Sequence, residues 1–290
     1  MKREITLILI FNILFINSIF AYNNKNLCEE HLANGKPSDA IVAAKDLADA
    51  YDSNFCAAKA KYQLKDYKGA IESFTESEKN AELQADQMYS MLYKAIAERD
   101  SQDLKASSAT LSKGLATAKL GNSKYMQIEQ KFLYELGLND MALGDYFNAI
   151  DYLAKSVVIA NNDSERADSY NALATASFRS KKYSNAVEYA VKSSNMYQKT
   201  GQLNEYAEAI INLATYHAGD GHPEKALTTL KSLEKFAKVN GGKYFEARAL
   251  IEQSVIYRSM NKNVESTEHL NNGQRIAREI GANDLLTPKQ

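Results

Sequence analysis

Two adjacent stretches of the chain, Leu136–Leu153 (LGLNDMALGDYFNAIDYL) and Leu173–Ala190 (LATASFRSKKYSNAVEYA), carry one pattern. In each, a small residue (Gly137 or Ala174) precedes a tyrosine by nine positions, and an alanine follows that tyrosine by three. Apolar residues recur at helical spacing on both sides of a short polar turn. The pattern predicts two antiparallel helices joined by a tight turn, with small residues where the helices approach most closely.

The same pattern extends in both directions as pairs of small residues twelve positions apart. Successive second members are separated by 39, 40, 37, 40 and 40 residues. Six units in near-constant register resemble the tetratricopeptide repeat (TPR), a helix-turn-helix unit with a ladder of small and aromatic residues. This resemblance implies an all-α, TPR-like superhelical solenoid of stacked antiparallel helix pairs. The ladder reads Ala58/Ala70, Ala97/Ala109, Gly137/Ala149, Ala174/Ala186, Ala214/Ala226 and Ser254/Ser266.

The first 21 residues have the composition of a secretory signal peptide. Lys2 and Arg3 precede an apolar run from Ile5 to Phe20, and Ala21 is a small residue at the expected cleavage point. The run is shorter than the roughly 20 apolar residues of a membrane span, although an uncleaved anchor stays an alternative. The sequence therefore predicts a periplasmic or secreted protein, attached to a membrane only if the signal is uncleaved.

The remaining chain divides into three parts by its repeat pattern. We expect capping helices in residues 22–52, a TPR array of about six units in residues 53–282, and a tail in residues 283–290. Terminal repeats need such caps because they would otherwise expose an apolar face. Gly144 and Gly221 are predicted to take left-handed conformations at helix ends, and Pro223 to lie in the first turn of a helix.

The second unit departs most from the pattern. Ala106 stands where other units have the turn tyrosine, and the second helix contains Ser107, Ser108 and Gly114, which are weak helix formers. Two interpretations remain open at this point: a flexible joint, or drift of the sequence.

The two cysteines, Cys28 and Cys56, both fall near the start of the chain. An exported protein enters an oxidising compartment, and in a stacked array the helices that carry these residues would be neighbours. We therefore expect a disulfide between them. The alternative is that both are independent small core residues.

The charge balance gives no reason to expect a nucleic-acid partner. Removal of Lys2, Arg3 and Glu4 with the signal peptide leaves 33 basic and 35 acidic residues, a net charge of −2. Lys and Arg are mixed with Asp and Glu along the predicted helices, whereas a nucleic-acid-binding surface requires a basic bias or stripe.

No arrangement of residues in the sequence predicts catalysis, a cofactor or a metal site. His217 and His222 are five positions apart across a glycine turn, whereas a helical zinc pair is spaced by four with a third ligand nearby. Gly-rich phosphate loops and nucleophile-elbow motifs are absent from the sequence. The sequence therefore predicts a protein that is not an enzyme.

The TPR resemblance implies that first helices line a concave groove that receives a protein or peptide partner. Asn can hydrogen-bond a ligand backbone, and Arg can bind a carboxylate through two hydrogen bonds. The alternative is that these asparagines bridge adjacent helices and these arginines pair with neighbouring acids. The positions carried over from the motif are Tyr62, Lys94, Glu98, Tyr134, Leu138, Asn171, Thr175, Phe178, Arg179, Ile211, Asn212, Arg248 and Arg258.

Two functions are consistent with these features. The first is a non-enzymatic exported TPR protein that binds a protein or peptide through its groove, as an envelope scaffold or adaptor. The second is a periplasmic sensory input module that works with a separate membrane signalling partner, since similar arrays precede signalling domains in some bacterial receptors.

Overall fold

The computed structural model describes residues 27–286. Within this range the chain forms fourteen α-helices and two short 3-10 helices, and no β-strand. The prediction of an all-α, TPR-like solenoid is confirmed. The predicted signal peptide, residues 1–21, lies outside the described residues, as do residues 22–26 and the end of the predicted tail, residues 287–290.

The chain divides into two compact units at Leu143 and Gly144. In the first unit, each helix from α2 onward packs on the next, and α5 also contacts α7. The helices of this unit are α1 (27–33), α2 (Pro37–Lys45), α3 (Ala50–Gln63), α4 (Tyr67–Asn80), α5 (Gln84–Asp100), α6 (Leu104–Leu120), the 3-10 turn Asn122–Tyr125, and α7 (Met126–Leu143).

The second unit follows the same plan. Each helix packs on its neighbours in the chain, and α11 also contacts both α9 and α13, so that these three first helices form one layer. The helices are α8 (Tyr146–Ile159), α9 (Asp163–Arg179), α10 (Tyr183–Thr200), α11 (Leu203–Gly219), α12 (Pro223–Val239), α13 (Lys243–Ser259), α14 (Asn263–Glu279) and the 3-10 turn Asn283–Leu285.

Side-chain caps and turn residues fix where the helices begin and end. Five helices begin after an Asp or Asn whose carboxylate or amide oxygen accepts a backbone N–H three residues later, a contact worth about 1 kcal/mol. Gly144 and Gly221 both have φ of 80° and Pro223 is the first residue of α12, as predicted. The capping residues are Asp49, Asp66, Asp103, Asp145 and Asn162.

The predicted ladder of small residues lies in the core in five of the six pairs. In these pairs the alanines of both the first and the second helix are at most 1% exposed, as Ala174 and Ala186 are. Ser254 and Ser266 keep the same role with polar side chains, because the Ser266 hydroxyl donates to the Ser254 carbonyl oxygen at 2.8 Å. Small residues therefore allow the helices to approach, whether they are Ala or Ser.

The predicted pair Ala97/Ala109 in the second unit is wrong. Ala109 is exposed, whereas Ser107 is fully buried and its hydroxyl donates to the Ala95 carbonyl oxygen at 2.9 Å. Asp103 caps α6 four residues before Ser107, just as Asp66 caps α4 four residues before its ladder alanine. The true pair is Ala95/Ser107, so the register of this unit shifts by two residues.

The weak helix formers of the second unit have packing roles in the structure. Ser108 accepts a hydrogen bond from the buried Asn139 amide at 2.7 Å. A Cβ on Gly114 would lie 2.2 Å from the ring of Phe132, which is fully buried. Close approach between α6 and α7 thus explains Ser108 and Gly114, and this reason replaces both interpretations offered from the sequence.

The leading helix pair follows the same register as the later ones. Ala40 is fully buried, and Cys28, twelve residues earlier, has its sulfur 3.5 Å from the Ala40 carbonyl oxygen. Cys28 therefore occupies the small-residue position of α1. None of the helices in residues 27–286 combines the length and the apolar character required to cross a bilayer.

Candidate partner-binding surface

Two rows of side chains on α9 and α11 form the α9–α11 face, which consists of Asn171, Thr175, Arg179, Asn212 and Tyr216. Asn171, Thr175 and Arg179 are spaced by four residues and therefore lie on one side of α9. Asn212 and Tyr216 have the same spacing and lie on one side of α11. The Thr175 and Tyr216 hydroxyls are 3.0 Å apart, which joins the two rows. The face therefore combines residues of two helix pairs within the second unit.

The polar side chains of the α9–α11 face have unused hydrogen-bonding capacity. The Asn171 Oδ1 atom is buried and has no partner among the described residues. Asn212 is half-buried, and no side-chain hydrogen bond is formed by it within residues 27–286. An amide offers one acceptor oxygen and two donor hydrogens, so both asparagines have capacity for further hydrogen bonds, Asn212 at a half-buried side chain and Asn171 through an oxygen that neighbouring atoms cover.

Arg179 supplies the positive charge of this face. Its side chain is exposed, and no carboxylate of the described residues pairs with it. Burial raises the pKa of the Tyr216 hydroxyl, while the Thr175 hydrogen bond and the Arg179 charge act in the opposite direction. An unpaired guanidinium about two helical turns along α9 from the Asn171 amide suits a ligand long enough to present both a peptide backbone and a carboxylate.

Phe178, also predicted to bind the partner, is used in packing instead. Its ring lies 4.8 Å from the Tyr216 ring and 5.5 Å from the Tyr183 ring, measured between centroids. A Cβ on Gly219 would approach the Phe178 ring to 2.6 Å. The ring thus fills the space between α9, α10 and α11.

The two other predicted arginines differ from each other. Arg248 on α13 pairs with Glu208 on α11, as the alternative interpretation from the sequence supposed. Arg258 is exposed, and the described residues provide no carboxylate partner for it. Arg248 therefore holds two helices together, whereas the charge of Arg258 is available.

On the first helices of residues 27–143, the predicted residues and their neighbours mostly bond to one another. The Tyr62 hydroxyl donates to the Asp100 carboxylate, and both burial and this carboxylate raise the pKa of Tyr62. Arg99 on α5 pairs with Glu135 on α7. Tyr134 is half-buried on α7.

The acidic partners in these inter-helix pairs were not identified from the sequence, although a signal for them exists. Arg99 and Glu135 are 36 residues apart, and Arg248 and Glu208 are 40 apart. Both separations are close to the repeat length. Complementary polar residues one repeat apart on first helices therefore predict internal pairing rather than partner binding.

A family model described as Anaphase-promoting complex subunit 5 (ANAPC5), a TPR-like helical family, matches residues 133–245 and 236–289. Together these matches span more than half of the chain. This chain belongs to that TPR-like family. No curated protein matches the chain.

Solved TPR-like structures share the fold at low sequence identity. A signal transduction ATPase with numerous domains (STAND) from Pyrococcus horikoshii, with a tetratricopeptide repeat sensor, matches with a TM-score of 0.71 and 15% identity. The match covers 91% of this chain but only 43% of the STAND protein.

Two further structures match over most of their own length. A Rap protein complexed with Competence and Sporulation Factor has a TM-score of 0.62 and 11% identity, with 92% of this chain and 83% of that one covered. TPR-like repeats of a putative kinesin light chain from "Podosopora anserina" have a TM-score of 0.61 and 16% identity. This match covers 68% of this chain and 97% of the kinesin light chain repeats. At these identities the likeness shows the fold alone.

The register shift removes Lys94 and Glu98 from the predicted groove of this TPR-like chain. The Lys94 Nζ atom is 4.0 Å from the Glu78 carboxylate on α4. Glu98 is 6% exposed and accepts a hydrogen bond from the Thr110 hydroxyl on α6 at 2.8 Å. Both side chains therefore face second helices, and their prediction as groove residues is wrong.

Replacing Glu98 by glutamine is expected to raise the melting temperature at pH 7.5. Burial raises the pKa of Glu98 above its ordinary value of 4.5, so the ionised form is the less stable one in the folded protein. Proton binding by Glu98 therefore stabilises the folded protein fully below pH 4.5. This stabilisation is lost as the pH rises through the pKa that Glu98 has in the folded state. Thermal unfolding of both proteins from pH 4 to pH 8 tests this.

The matched control is Glu76→Gln, which removes an exposed carboxylate on α4. The gain from Glu98→Gln should shrink toward pH 4, where the parent carboxyl is also protonated. A gain that is equal at pH 4 and pH 8, or equal to the Glu76→Gln effect, would contradict this reading of Glu98.

The predicted cysteine pair lies in the core of the first helices. Cys28 and Cys56 are 1% and 3% exposed, and their Cα atoms are 6.5 Å apart, a distance that a disulfide spans. Both belong to one apolar cluster with Ala40, Ala44 and Ala60. The geometry thus allows the bond, and its formation stays a prediction.

Proposed function

We propose that this chain is a non-enzymatic adaptor that binds an extended peptide segment of another protein on the α9–α11 face. The observation that carries the proposal is the free polar capacity of Asn171, Asn212 and Arg179 on one face. Other polar side chains on the first helices are paired across neighbouring helices, as Arg248 is with Glu208 and Arg99 is with Glu135. A surface that retains unpaired amides and a free guanidinium is suited to a polar ligand.

The chemistry of the face indicates what the ligand carries. Two amides can receive the N–H and C=O groups of a peptide backbone without reading its side chains. Arg179 can bind a carboxylate, either an Asp or Glu side chain or a chain terminus. We therefore propose an extended peptide with an acidic group as the ligand. A Rap protein of the same fold is known in complex with Competence and Sporulation Factor, which supports a binding role.

We further propose that the adaptor works in the cell envelope, in the periplasm or outside the cell. The support is the composition of residues 1–21, with two basic residues, an apolar run and a small residue at the end. Fractionation of cells followed by N-terminal sequencing tests the location: a mature protein that begins near residue 22 in the periplasmic fraction is expected, and full-length protein in the cytoplasm would contradict it.

A sensory input module is the second candidate function. The observation in its favour is the likeness to a STAND protein whose repeat domain is described as a sensor. A sensor should change the state of a membrane signalling partner when its ligand binds, whereas an adaptor should only hold two proteins together. Measuring the activity of any co-purified kinase or cyclase with and without ligand separates the two.

The proposed function predicts the effect of changing Arg179. The probe is an array of ten-residue peptides with and without acidic residues, incubated with the full chain. We expect retention of acidic peptides, and Arg179→Glu should weaken the best of them at least about tenfold, because one charge-assisted contact is worth about 1.5–3 kcal/mol. Asn171→Ala with Asn212→Ala should weaken acidic and neutral peptides alike.

The matched control is Lys231→Glu, which makes the same charge change at an exposed position of α12. It should retain peptides as the parent does. The proposal fails if no peptide is retained, or if Arg179→Glu and Lys231→Glu behave alike while circular dichroism shows unchanged helix content.

A further inference from the structure

Three exposed asparagines of the chain are directly followed by glycine. Such a pair is reactive because glycine has no Cβ to shield its backbone nitrogen, which can therefore approach the side-chain amide of the preceding asparagine. The residue types are the same at the three sites, so the tertiary structure decides which of them reacts first. The pairs are Asn34–Gly35, Asn240–Gly241 and Asn272–Gly273.

The reaction is an intramolecular substitution followed by hydrolysis. The glycine nitrogen loses its proton to solvent base and forms a bond to the asparagine Cγ atom. The Cγ–Nδ2 bond breaks, and Nδ2 takes up a proton and leaves as ammonia, so that a cyclic succinimide remains. Water then opens the ring. Attack at Cγ gives aspartate, whereas attack at the main-chain carbonyl carbon gives isoaspartate. No group is oxidised or reduced, and water is the co-reactant.

The first pair lies in a turn whose backbone is held. The Gly35 N–H donates to the Leu32 carbonyl oxygen at 3.2 Å, and the Lys36 N–H donates to the His31 carbonyl oxygen at 2.8 Å. Pro37 follows and restricts the backbone of the residue before it. The Gly35 nitrogen must therefore leave a hydrogen bond, in a turn with little freedom, before it can react.

The pair Asn272–Gly273 is protected more strongly. It lies inside α14, where the backbone N–H groups form the hydrogen bonds of the helix. Gly273 is buried, and a Cβ there would meet the Ala247 carbonyl oxygen of α13 at 2.8 Å. Reaction at this site requires α14 to open and to separate locally from α13.

The pair Asn240–Gly241 lies in the turn between α12 and α13, and its glycine nitrogen is free. Within residues 27–286 the Gly241 N–H forms no hydrogen bond. Gly242 comes next, so two successive residues without side chains give this turn the freedom to rotate. The glycines at the same place in three other turns each donate to the carbonyl oxygen three residues back; these are Gly201, Gly221 and Gly281.

The Asn240 amide has a structural role that this reaction removes. Its Nδ2 donates to the Phe236 carbonyl oxygen at 2.8 Å, at the exposed end of α12. A carboxylate in its place cannot donate to that carbonyl, and a negative charge is unfavourable at the C-terminal end of a helix. Isoaspartate also lengthens the backbone between α12 and α13.

We propose that Asn240 is the preferred site of spontaneous deamidation in this chain and that its conversion to aspartate or isoaspartate loosens the end of α12. The modification changes the charge of this turn by one negative unit. It needs no enzyme, and it does not depend on the proposed peptide binding at the α9–α11 face.

The experiment incubates the full chain at mildly alkaline pH and follows all three sites by peptide mapping and mass spectrometry. Asn240 should react at least about fivefold faster than Asn34, since one hydrogen bond of about 1 kcal/mol corresponds to that factor. Asn272 should be the slowest. In the chain unfolded by urea the three rates should converge, because each site is then an Asn-Gly pair in an open chain.

Substitutions test the site and its consequence separately. Asn240→Gln should remove the main acidic isoform in isoelectric focusing, whereas the matched variant Asn34→Gln should keep it. Asn240→Asp should melt below the parent, and Asn272→Asp, which makes the same charge change in the middle of α14, should melt closer to the parent. The proposal is overturned if Asn34 or Asn272 reacts as fast as Asn240, if the ratios of the rates are the same in the folded and unfolded chains, or if the two aspartate variants melt alike.

Discussion

Replacing Gly114 by valine is expected to lower the free energy of unfolding of the N-terminal unit by about 3 kcal/mol. A Cβ at this position would lie 2.2 Å from two carbon atoms of the Phe132 ring. The ring is fully buried, so it cannot move aside into solvent, and α6 and α7 must separate. Valine is a better helix former than glycine by a few tenths of a kcal/mol, which is too little to offset the overlap. Urea unfolding monitored by circular dichroism measures the loss.

Two variants isolate the contact between Gly114 and Phe132. Ala109→Val is the matched control, since it places the same side chain on the same helix at an exposed position. It should cost less than about 0.5 kcal/mol. Phe132→Leu should lower stability by itself, but should recover part of the Gly114→Val loss in the double variant. Equal effects of Gly114→Val and Ala109→Val would contradict both the packing reason and the corrected register.

Replacing Cys28 and Cys56 together by serine is expected to lower the free energy of unfolding by about 3–4 kcal/mol. A disulfide that closes a loop of this length restricts the unfolded chain by that amount. The separation of 28 residues and the Cα distance of 6.5 Å are both suitable for the bond. Thermal unfolding of the oxidised parent, the reduced parent and the double variant measures the effect.

The reduced parent separates the bond from the packing of the side chains. It should melt well below the oxidised parent, whereas a reductant should not change the melting of the double serine variant. Cys28→Ala with Cys56→Ala keeps small apolar side chains and should also become insensitive to reductant. Two free thiols titrated in the denatured, unreduced parent would contradict the predicted bond.

The candidate surface could be predicted only in part from the sequence. The repeat pattern placed Asn171, Arg179 and Asn212 on first helices, and within residues 27–286 the Asn171 oxygen, the Arg179 charge and the Asn212 amide have no side-chain partner. The same reasoning could not separate them from Arg248 and Phe178, which are used internally. The difference depends on which residue stands about one repeat away on the neighbouring helix, Glu208 in one case and Gly219 in the other.

The sequence of the second unit also did not determine which alanine of α5 belongs to the ladder pair. Ala95 and Ala97 are both fully buried, because α5 is covered on two sides. Ala97 packs with Ala58, Ala70 and Phe74 of the preceding pair, while Ala95 receives the Ser107 hydroxyl of its own pair. Two alanines two positions apart look alike in a sequence. The caps distinguish them, since the capping aspartate precedes the ladder residue by four in α4, α6 and α8.

The sequence by itself determined the class of fold. Small residues twelve positions apart, polar turns between them, and recurrence about every 40 residues permit only helix pairs that stack on their neighbours. Only the tertiary structure decided which side chains of each helix are buried or paired in contacts with neighbouring helices. It placed Phe132 over Gly114, paired Arg248 with Glu208, and left Arg179 and Arg258 without a carboxylate partner in residues 27–286. The physical reason is that periodicity specifies which face of a helix is apolar, whereas a side chain's partner depends on contacts between residues 18 to 40 positions apart.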